Sequence, residues 1–323
     1  MFWCYNEMNP AKKLVKLVYF YRTQHNKRLR RFVLLREIRP GIWFVEGENR
    51  GRYPFSHSLF VEGEVDTLID TGAGASLEKL VGKTGQVILS HYHRDHVSFN
   101  RLFDGADFVI HLEDAPGVES LDGYIALSGI GREEILAYWN SVRRTGFNET
   151  QIVRYISDGD LIHAGHFSMQ VIHLPGHTPG HCGFWFENFG LMFAADIDMT
   201  DFGPWYGNKT SNLDQFRDSI RRLRSMNPEV VITGHCQPLT SGIGQKIDAY
   251  ERILDRRDEA ILSELKKGPA GSRLLAEKNI IYRQHHNRQT LLYFEEVMLI
   301  KHLNSLAGKS LVDKTEDGLY YLL

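Results

Sequence analysis

The stretch His91-Tyr92-His93-Arg94-Asp95-His96 places four potential metal ligands within six residues. It follows an apolar run at 86–90 (QVILS), which predicts a buried strand. At the end of an extended strand, His91 and His93 point the same way because side chains alternate with period two. Asp95 and His96 then lie on a turn and face a second point. Imidazoles suit zinc, iron and manganese, and a carboxylate compensates charge, so the stretch predicts a metal centre.

Further potential ligands follow at the ends of other apolar segments. His177 lies in the turn-rich run 175–181 (PGHTPGH), Asp196 ends 191–196 (LMFAAD), and His235 ends 230–235 (VVITGH). Asp198 is a weaker alternative to Asp196. An acidic turn, 70–72 (DTG), precedes the whole series.

These motifs, in this order over residues 37–240, resemble the metallo-β-lactamase-fold superfamily, whose first metal motif is HxHxDH. The resemblance implies an α/β fold, the αββα sandwich, with metal ions at one edge of its two sheets. It also implies two metal sites bridged by Asp196. The implied ligand trios are His91, His93 and His177 for one ion, and Asp95, His96 and His235 for the other. Zinc is the expected divalent ion, with iron and manganese as alternatives.

The resemblance also implies a hydrolase. Two cations lower the pKa of a water between them, which makes hydroxide available at neutral pH for attack on a carbonyl or phosphorus. Asp95 is the expected catalytic residue, orienting the nucleophile and accepting its proton. Asp70 either supports a ligand loop or caps its own turn. We expect His181, Cys182 and Cys236 to be structural.

The sequence divides into three predicted regions. Residues 1–36 form an extension with nine basic residues and one acidic residue. Residues 37–245 form the catalytic domain. Residues 246–323 contain three helical patterns and a hairpin with Asp317-Gly318 at its turn, which predicts a small winged-helix-like domain. Two local expectations concern the catalytic domain: a helix over 75–81 (ASLEKLV), and a helix over 211–226 with Ser211 and Asp214 as a capping box.

Composition excludes several classes of protein. The net charge of −2 argues against a general nucleic-acid binder, and the C-terminal region is balanced, with thirteen basic and twelve acidic residues. Three cysteines without a CxxC motif argue against a disulfide framework and favour a reducing cytoplasm. No apolar run is long enough to span a bilayer, although 11–36 could be a basic membrane-surface segment or a poorly packed extension.

Two segments bear on the substrate. The insertion 116–147 is rich in apolar and aromatic residues, and it forms either a pocket wall or extra packing. Phe202, Trp205 and Tyr206 follow Asp196 and are expected to line the cleft, which suits an acyl group better than a phosphate. We therefore expect hydrolysis of a small-molecule ester, thioester or lactone, as in the hydroxyacylglutathione hydrolase group. The alternative is a metal-dependent ribonuclease or phosphodiesterase. A DNA-binding regulator with an inactive hydrolase domain is a third reading, which the intact ligand set disfavours. Homodimerisation stays open.

Overall fold

The computed structural model describes residues 35–133, 147–164, 167–283 and 289–323. The basic extension therefore lies almost wholly outside the described residues, as does most of the helical pattern within the insertion 116–147. Among the described residues, no helix is long and apolar enough to cross a membrane.

Within the described residues, the first sheet contains seven strands in chain order. Strands β1 to β4 are antiparallel to their neighbours, whereas β4 to β7 run parallel. The strands are β1 Leu35–Arg39, β2 Ile42–Val45, β3 Ser58–Val61, β4 Asp66–Ile69, β5 Thr84–Ile88, β6 Asp107–His111 and β7 Ile152–Ile156.

In the same part of the chain, the second sheet contains five strands in the order β12-β11-β10-β9-β8. Its neighbours are antiparallel except for the parallel pair β11 and β12. The strands are β8 Leu161–Ala164, β9 Phe167–His173, β10 Cys182–Phe186, β11 Leu191–Phe193 and β12 Val230–Ile232.

The helices lie outside the sheets, and three of them belong to the C-terminal region. They are α1 Arg94–Val97, α2 Pro116–Glu119, α3 Leu121–Ser128, α4 Leu213–Met226, α5 Ile243–Leu265, α6 Ser272–Ala276 and α7 Gln289–Gly308. The chain ends in the hairpin β13 Val312–Lys314 and β14 Tyr320–Leu322, with Asp317-Gly318 in its turn. The predicted C-terminal helices and hairpin are confirmed.

Alternation along the strands produces the layers. In β3, Leu59 belongs to the core between the two sheets, whereas Phe60 packs beneath the helices outside the first sheet. In β11, Leu191 faces the inter-sheet core and Met192 faces the helices outside the second sheet. The predicted αββα sandwich follows from this two-sided burial.

The core outside the second sheet is shared with the C-terminal region. Phe216 and Ile220 of α4 belong to the same buried cluster as Leu254 of α5 and Met298 of α7. The predicted boundary between residues 245 and 246 lies in the first turn of α5. The C-terminal helices thus pack directly on the layer that supports the second sheet.

The predicted helix over 211–226 is confirmed as α4, but its predicted cap and the predicted helix over 75–81 were wrong. Residues 75–81 do not form an α-helix, and a short 3-10 helix, Gly74–Leu77, occupies part of this stretch. Gly74 and Gly82 have positive φ values, which an α-helix does not contain, so the chain turns at both ends of this stretch. The helix α4 is capped by Asn212, whose side chain accepts from the N–H groups of Asp214 and Gln215. Ser211 instead donates to the His177 carbonyl.

Candidate metal centre

The predicted ligands meet at one edge of the sandwich. Parallel strands end at the same edge of a sheet, so the segments after β4 and β5 emerge together, as do those after β11 and β12. The segment after β5 carries His91 and His93 and leads into α1, which carries Asp95 and His96. Asp196 and His235 follow β11 and β12, and His177 follows β9.

The first group contains His91, His93, His177 and Asp196, all buried, with one potential ligand atom from each lying within 4.8 Å of the others. His177 Nε2 is 2.8 Å from His93 Nδ1 and 3.1 Å from Asp196 Oδ2. His91 Nε2 is 3.8 Å from the same carboxylate oxygen. Three imidazole nitrogens and a carboxylate oxygen therefore converge on one point, as a metal ion requires.

The second group contains Asp95, His96 and His235, again with ligand atoms within 4.8 Å of one another. His235 Nε2 is 3.3 Å and His96 Nε2 is 4.0 Å from Asp95 Oδ2. The Asp196 Oδ1 atom is 2.9 Å from His96 Nε2 and 3.5 Å from His235 Nε2. The two oxygens of Asp196 thus face different groups, which is the arrangement of a bridging carboxylate.

The donor set fits metal ions. His91 Nε2, His96 Nε2 and Asp196 Oδ1 are buried and make no well-aligned hydrogen bond among the described residues. The 2.9 Å approach of His96 to Asp196 is close in distance but is not aligned as a hydrogen bond. Buried polar atoms normally have hydrogen-bond partners. These three atoms point toward a common region without aligned hydrogen bonds, so metal cations would complete their interactions.

Hydrogen bonds to carbonyl oxygens orient two of these imidazoles. His177 Nδ1 donates to the Trp205 carbonyl over 2.8 Å, and His235 Nδ1 donates to the Gly51 carbonyl over 2.6 Å. Because a carbonyl only accepts, Nδ1 carries the proton in both rings. In the neutral ring, which is the form that binds metal, each Nε2 then presents a lone pair to its group.

Asp70 supports the first motif from below. Its carboxylate accepts from the Ser90 N–H and hydroxyl and from His96 Nδ1, each over 2.7 Å. Ser90 Oγ is also 2.9 Å from His91 Nδ1. Asp70 is fully buried and has a φ of 61°, a strained conformation for a residue with a side chain. Of its two expected roles, the geometry supports the holding of the ligand loop.

Burial and charge act in opposite directions on the two groups. Burial lowers the pKa of His91 and His93 well below the ordinary value, and neighbouring imidazoles reinforce this effect. Burial also lowers the pKa of His96, but the Asp196 and Asp70 carboxylates outweigh it and raise that pKa to about 10. His91 and His93 are thus neutral nitrogen donors, whereas carboxylate charge dominates around His96.

Gly234 makes the approach of β12 to the site possible. A Cβ atom at this position would meet His96 Cε1 at 2.7 Å and Asp196 Oδ1 at 3.0 Å. The glycine before His235 in the sequence therefore reflects a backbone that passes directly beside two predicted ligands.

Other residues take structural positions. His181 bonds to the Leu174 carbonyl through Nδ1 and accepts from the Asp196 N–H through Nε2. The Asp198 carboxylate accepts from Thr200. Cys182 is buried in the inter-sheet core, and Cys236 is half-buried.

Sequence reasoning missed Asp114, which lies just beyond β6. Its carboxylate accepts from the Tyr92 N–H, the Thr178 hydroxyl and the Gly180 N–H at 3.2, 2.5 and 2.6 Å. It ties the segment of His93 to that of His177. The available signal was its place at the end of a strand parallel to β5, where a side chain reaches the same edge.

A third group, His111, Glu113 and His173, also brings potential ligand atoms within 4.8 Å. The two imidazoles are stacked, with centroids 4.2 Å apart and planes inclined by 12°. Nitrogen lone pairs lie in the ring planes, and nearly parallel planes do not meet at one ion. His173 Nε2 also bonds to the Pro179 carbonyl over 2.7 Å. This group is a stacked histidine pair.

The three aromatic residues expected to line the cleft differ in position. The Trp205 ring lies 5.5 Å from that of His93 and 5.8 Å from that of His177, beside the centre. Phe202 is partly exposed and packs on Tyr282, 5.1 Å away. The expectation for Tyr206 was wrong, because this side chain is fully buried and bonds to His302 of the C-terminal region.

An αββα sandwich with two histidine and aspartate groups at one sheet edge defines a class of metal-dependent hydrolases. The sequence model of the metallo-beta-lactamase superfamily matches residues 54–235, more than half of the chain. The chain therefore belongs to the metallo-beta-lactamase superfamily, and the resemblance seen in its sequence is confirmed.

Curated relatives are similar at modest identity. A probable metallo-hydrolase, YqjP, of Bacillus subtilis is 25% identical over 214 residues, which cover 56% of this chain and 67% of that protein. A hydroxyacylglutathione hydrolase of Wigglesworthia glossinidia brevipalpis is 26% identical over 258 residues, which cover 74% and 88%. The chain matches only about half of the length of two other curated relatives, 42% of one and 52% of the other.

Solved structures support the fold. A metallo-beta-lactamase family protein of Thermus thermophilus superposes with a TM-score of 0.69 at 20% identity, covering 89% of this chain and 100% of that one. This likeness concerns the fold, and it extends over most of the chain.

Proposed function

We propose that this chain is a dinuclear metal-dependent hydrolase that cleaves a small ester, thioester or lactone. The observation that carries the proposal is the Asp196 carboxylate, whose Oδ2 atom faces His177 and whose Oδ1 atom faces His96. A carboxylate shared between two ligand groups is what a pair of cations requires. Zinc is the expected ion, and iron and manganese are the alternatives.

Bound cations would acidify a water molecule and polarise a substrate carbonyl at the edge where the two groups meet. The residues would divide into an imidazole set, His91, His93 and His177, and a set with an added charge, Asp95, His96 and His235. Asp196 would bridge them.

Asp95 would accept the proton of the nucleophile. Burial raises the pKa of its carboxyl, but the hydrogen bond and charge of His235 outweigh burial and hold the pKa below the ordinary value. The carboxylate is therefore ionised at neutral pH and can take a proton. It lies at the start of α1, and its Oδ2 atom is 3.3 Å from His235 Nε2, which supports this role.

The choice of an acyl substrate has two supports. The Trp205 ring stands beside His93 and His177 and offers an apolar wall to one side of the centre. The Wigglesworthia relative is named for hydrolysis of an acyl group carried by glutathione. The balanced charge of the C-terminal region gives no comparable support to the alternative, a ribonuclease or phosphodiesterase.

A panel assay tests this proposal. Purified protein loaded with zinc, iron or manganese is offered thioesters, lactones, bis-p-nitrophenyl phosphate and single-stranded RNA. We expect kcat/KM for a thioester or lactone to exceed that for either phosphodiester by at least about a hundredfold. His93→Ala protein serves as the control for contaminating hydrolases. A higher kcat/KM on the phosphodiesters, lost in the same control, would replace the proposal with the alternative.

A further inference from the structure

A buried arginine of the C-terminal region forms hydrogen bonds with the segment that orients His177. Arg257 lies on α5, and its guanidinium donates to the Phe202 and Pro204 carbonyls over 2.7 and 2.6 Å and to the Tyr206 hydroxyl over 2.9 Å. The side chain is 4% exposed. Its recorded acceptors are thus two main-chain carbonyls and a phenol, all of which belong to one short segment.

The segment held in this way ends at the metal centre. Trp205 lies between Pro204 and Tyr206, which both accept hydrogen bonds from Arg257. The Trp205 carbonyl accepts a hydrogen bond from His177 Nδ1 over 2.8 Å. Fixing the residues on either side of a peptide carbonyl restricts its rotation. The direction of that carbonyl sets the plane of the His177 ring, and therefore the direction of the Nε2 lone pair.

A chain of hydrogen bonds that includes His302 of α7 also holds the Tyr206 side chain in place. Tyr206 Oη lies 2.5 Å from His302 Nε2, and His302 Nδ1 lies 2.5 Å from Asp258 Oδ1. Because the carboxylate only accepts, His302 carries its proton on Nδ1 and accepts from Tyr206, which in turn accepts from Arg257. Each group therefore has a defined donor and acceptor, so this buried network has a single arrangement.

The backbone approach is also specific. Gly203, between Phe202 and Pro204, has a φ of +88°, and a Cβ atom there would meet Ile253 of α5 at 2.5 Å. The segment therefore lies directly on the helix that carries Arg257. A buried cation is costly to desolvate, and an apolar residue could fill this space, so stability alone is a weak reason for an arginine here.

We propose that Arg257 is a positioning residue for the metal centre, acting through the Trp205 carbonyl on His177. The inference rests on the proposed function in one respect, the role of His177 as a metal ligand. Arginine suits this task because its planar fork reaches several acceptors at fixed angles, whereas lysine offers a single ammonium. Groups that orient a ligand imidazole typically change metal affinity about 10–100-fold when lost.

Arg217 provides a matched control. It is a buried arginine on α4 at the same interface, but its guanidinium pairs with the Asp255 and Asp258 carboxylates of α5, both over 2.6 Å. None of these bonds reaches the segment 202–206. Asp258 also accepts from His302, and a lysine at position 217 keeps a positive charge beside that carboxylate. An Arg217→Lys variant therefore measures how much stability is lost when the interface is disturbed. An Arg257→Lys variant also loses the hydrogen bonds to the segment 202–206.

The test compares the two variants with the unsubstituted full chain. Urea unfolding of the metal-free proteins gives their stabilities, and competition with a chromophoric chelator gives their affinities for Zn²⁺. In the Co²⁺-loaded proteins, proton NMR follows solvent exchange of the His177 Nδ1 proton, assigned by its absence in His177→Gln. We expect Arg257→Lys to weaken Zn²⁺ binding about tenfold and to speed this exchange. Arg217→Lys should lose stability and keep its affinity within about twofold.

Tyr206→Phe is the second variant, because it removes only the hydroxyl, and we expect it to weaken Zn²⁺ binding about threefold even if Arg257→Lys does not fold. If the two lysine variants change Zn²⁺ affinity and proton exchange equally, the role of Arg257 is overturned and the proposed function stands. The same follows if Arg257→Lys misfolds and Tyr206→Phe binds Zn²⁺ as the unsubstituted chain does. Absence of Zn²⁺ binding in the unsubstituted chain, or unchanged binding in His177→Gln, would overturn the proposed function together with the inference.

Discussion

The carboxylate of Asp70 accepts a hydrogen bond from His96 Nδ1 over 2.7 Å, and neither side chain is exposed to solvent. The acceptor fixes the proton on Nδ1 and turns His96 Nε2 toward Asp196 and Asp95. Asp70 lies directly after β4, so a rigid strand end holds the imidazole.

We predict from this pair that Asp70→Asn weakens binding of the second metal equivalent about 10–100-fold, as is typical when a partner of a ligand imidazole is lost. The measurement is a chelator competition that resolves the two equivalents. Asp66→Asn, at the other end of β4, is the control, because the Asp66 carboxylate accepts from the Gly63 N–H in a turn remote from the ligands. Equal effects of the two substitutions would show that Asp70 serves the strand and not the centre.

Metal content is the second prediction. With two ligand groups sharing Asp196, purified protein should contain close to two equivalents of zinc, iron or manganese by elemental analysis. His93→Ala should lower metal content and abolish turnover together, because His93 faces His177 within the first group. Full turnover by protein freed of metal would contradict a metal-dependent reaction.

Asp95→Asn is the third prediction. The amide keeps the size of the side chain but loses the negative charge and the proton acceptor. We expect partial metal retention and a fall in kcat of about a hundredfold or more. Steady-state kinetics with parallel metal analysis separates the two effects. A loss smaller than about threefold would remove Asp95 from the mechanism.

The fourth prediction concerns pH and Asp114. Burial raises the pKa of its carboxyl to about 6, although hydrogen bonds from Thr178, Gly180 and Tyr92 lower it. The folded protein then binds a proton that the unfolded chain has already released, so stability falls as pH rises from about 4 to about 6. The loss amounts to about 3 kcal/mol, since each pKa unit corresponds to about 1.4 kcal/mol.

Urea unfolding of metal-free protein across this pH range measures the effect, and Asp114→Asn is the reference because its side chain does not titrate. The stability of the native chain relative to this variant should decline toward pH 6 and then level off. A difference that stays constant with pH would show that Asp114 is ionised throughout.

Removal of residues 246–323 is the fifth prediction. Phe216 and Ile220 of α4 would lose their packing against Leu254 and Met298, so we expect insoluble or aggregating protein. The intact chain should show no measurable affinity for single-stranded RNA at physiological salt, because its C-terminal charges are balanced. Fluorescence anisotropy from low to moderate salt checks the second point. Submicromolar binding that weakens steeply with salt would favour the ribonuclease.

The metal motifs and their order along the sequence carried the resemblance that implied the sandwich, and they identified the histidine and aspartate side chains that meet at its edge. Local signals sufficed because strand period, turn residues and the spacing of His91, His93, Asp95 and His96 are set by neighbours along the chain. Where a local signal was weak, prediction failed: the stretch 75–81 forms turns and part of a 3-10 helix instead of an α-helix, and Asn212 rather than Ser211 caps α4.

Only the tertiary structure decided what orients the ligands. The Gly51 and Trp205 carbonyls that fix His235 and His177 leave no mark on the sequence, because every residue has a carbonyl. In the sequence, Arg257 is one of many charged residues on a predicted helix, and Tyr206 resembles an aromatic residue of the cleft. The structure shows that α5 packs on the segment 202–206 and buries both side chains. Long-range contacts of this kind depend on how layers pack, and the period of a sequence carries no record of that.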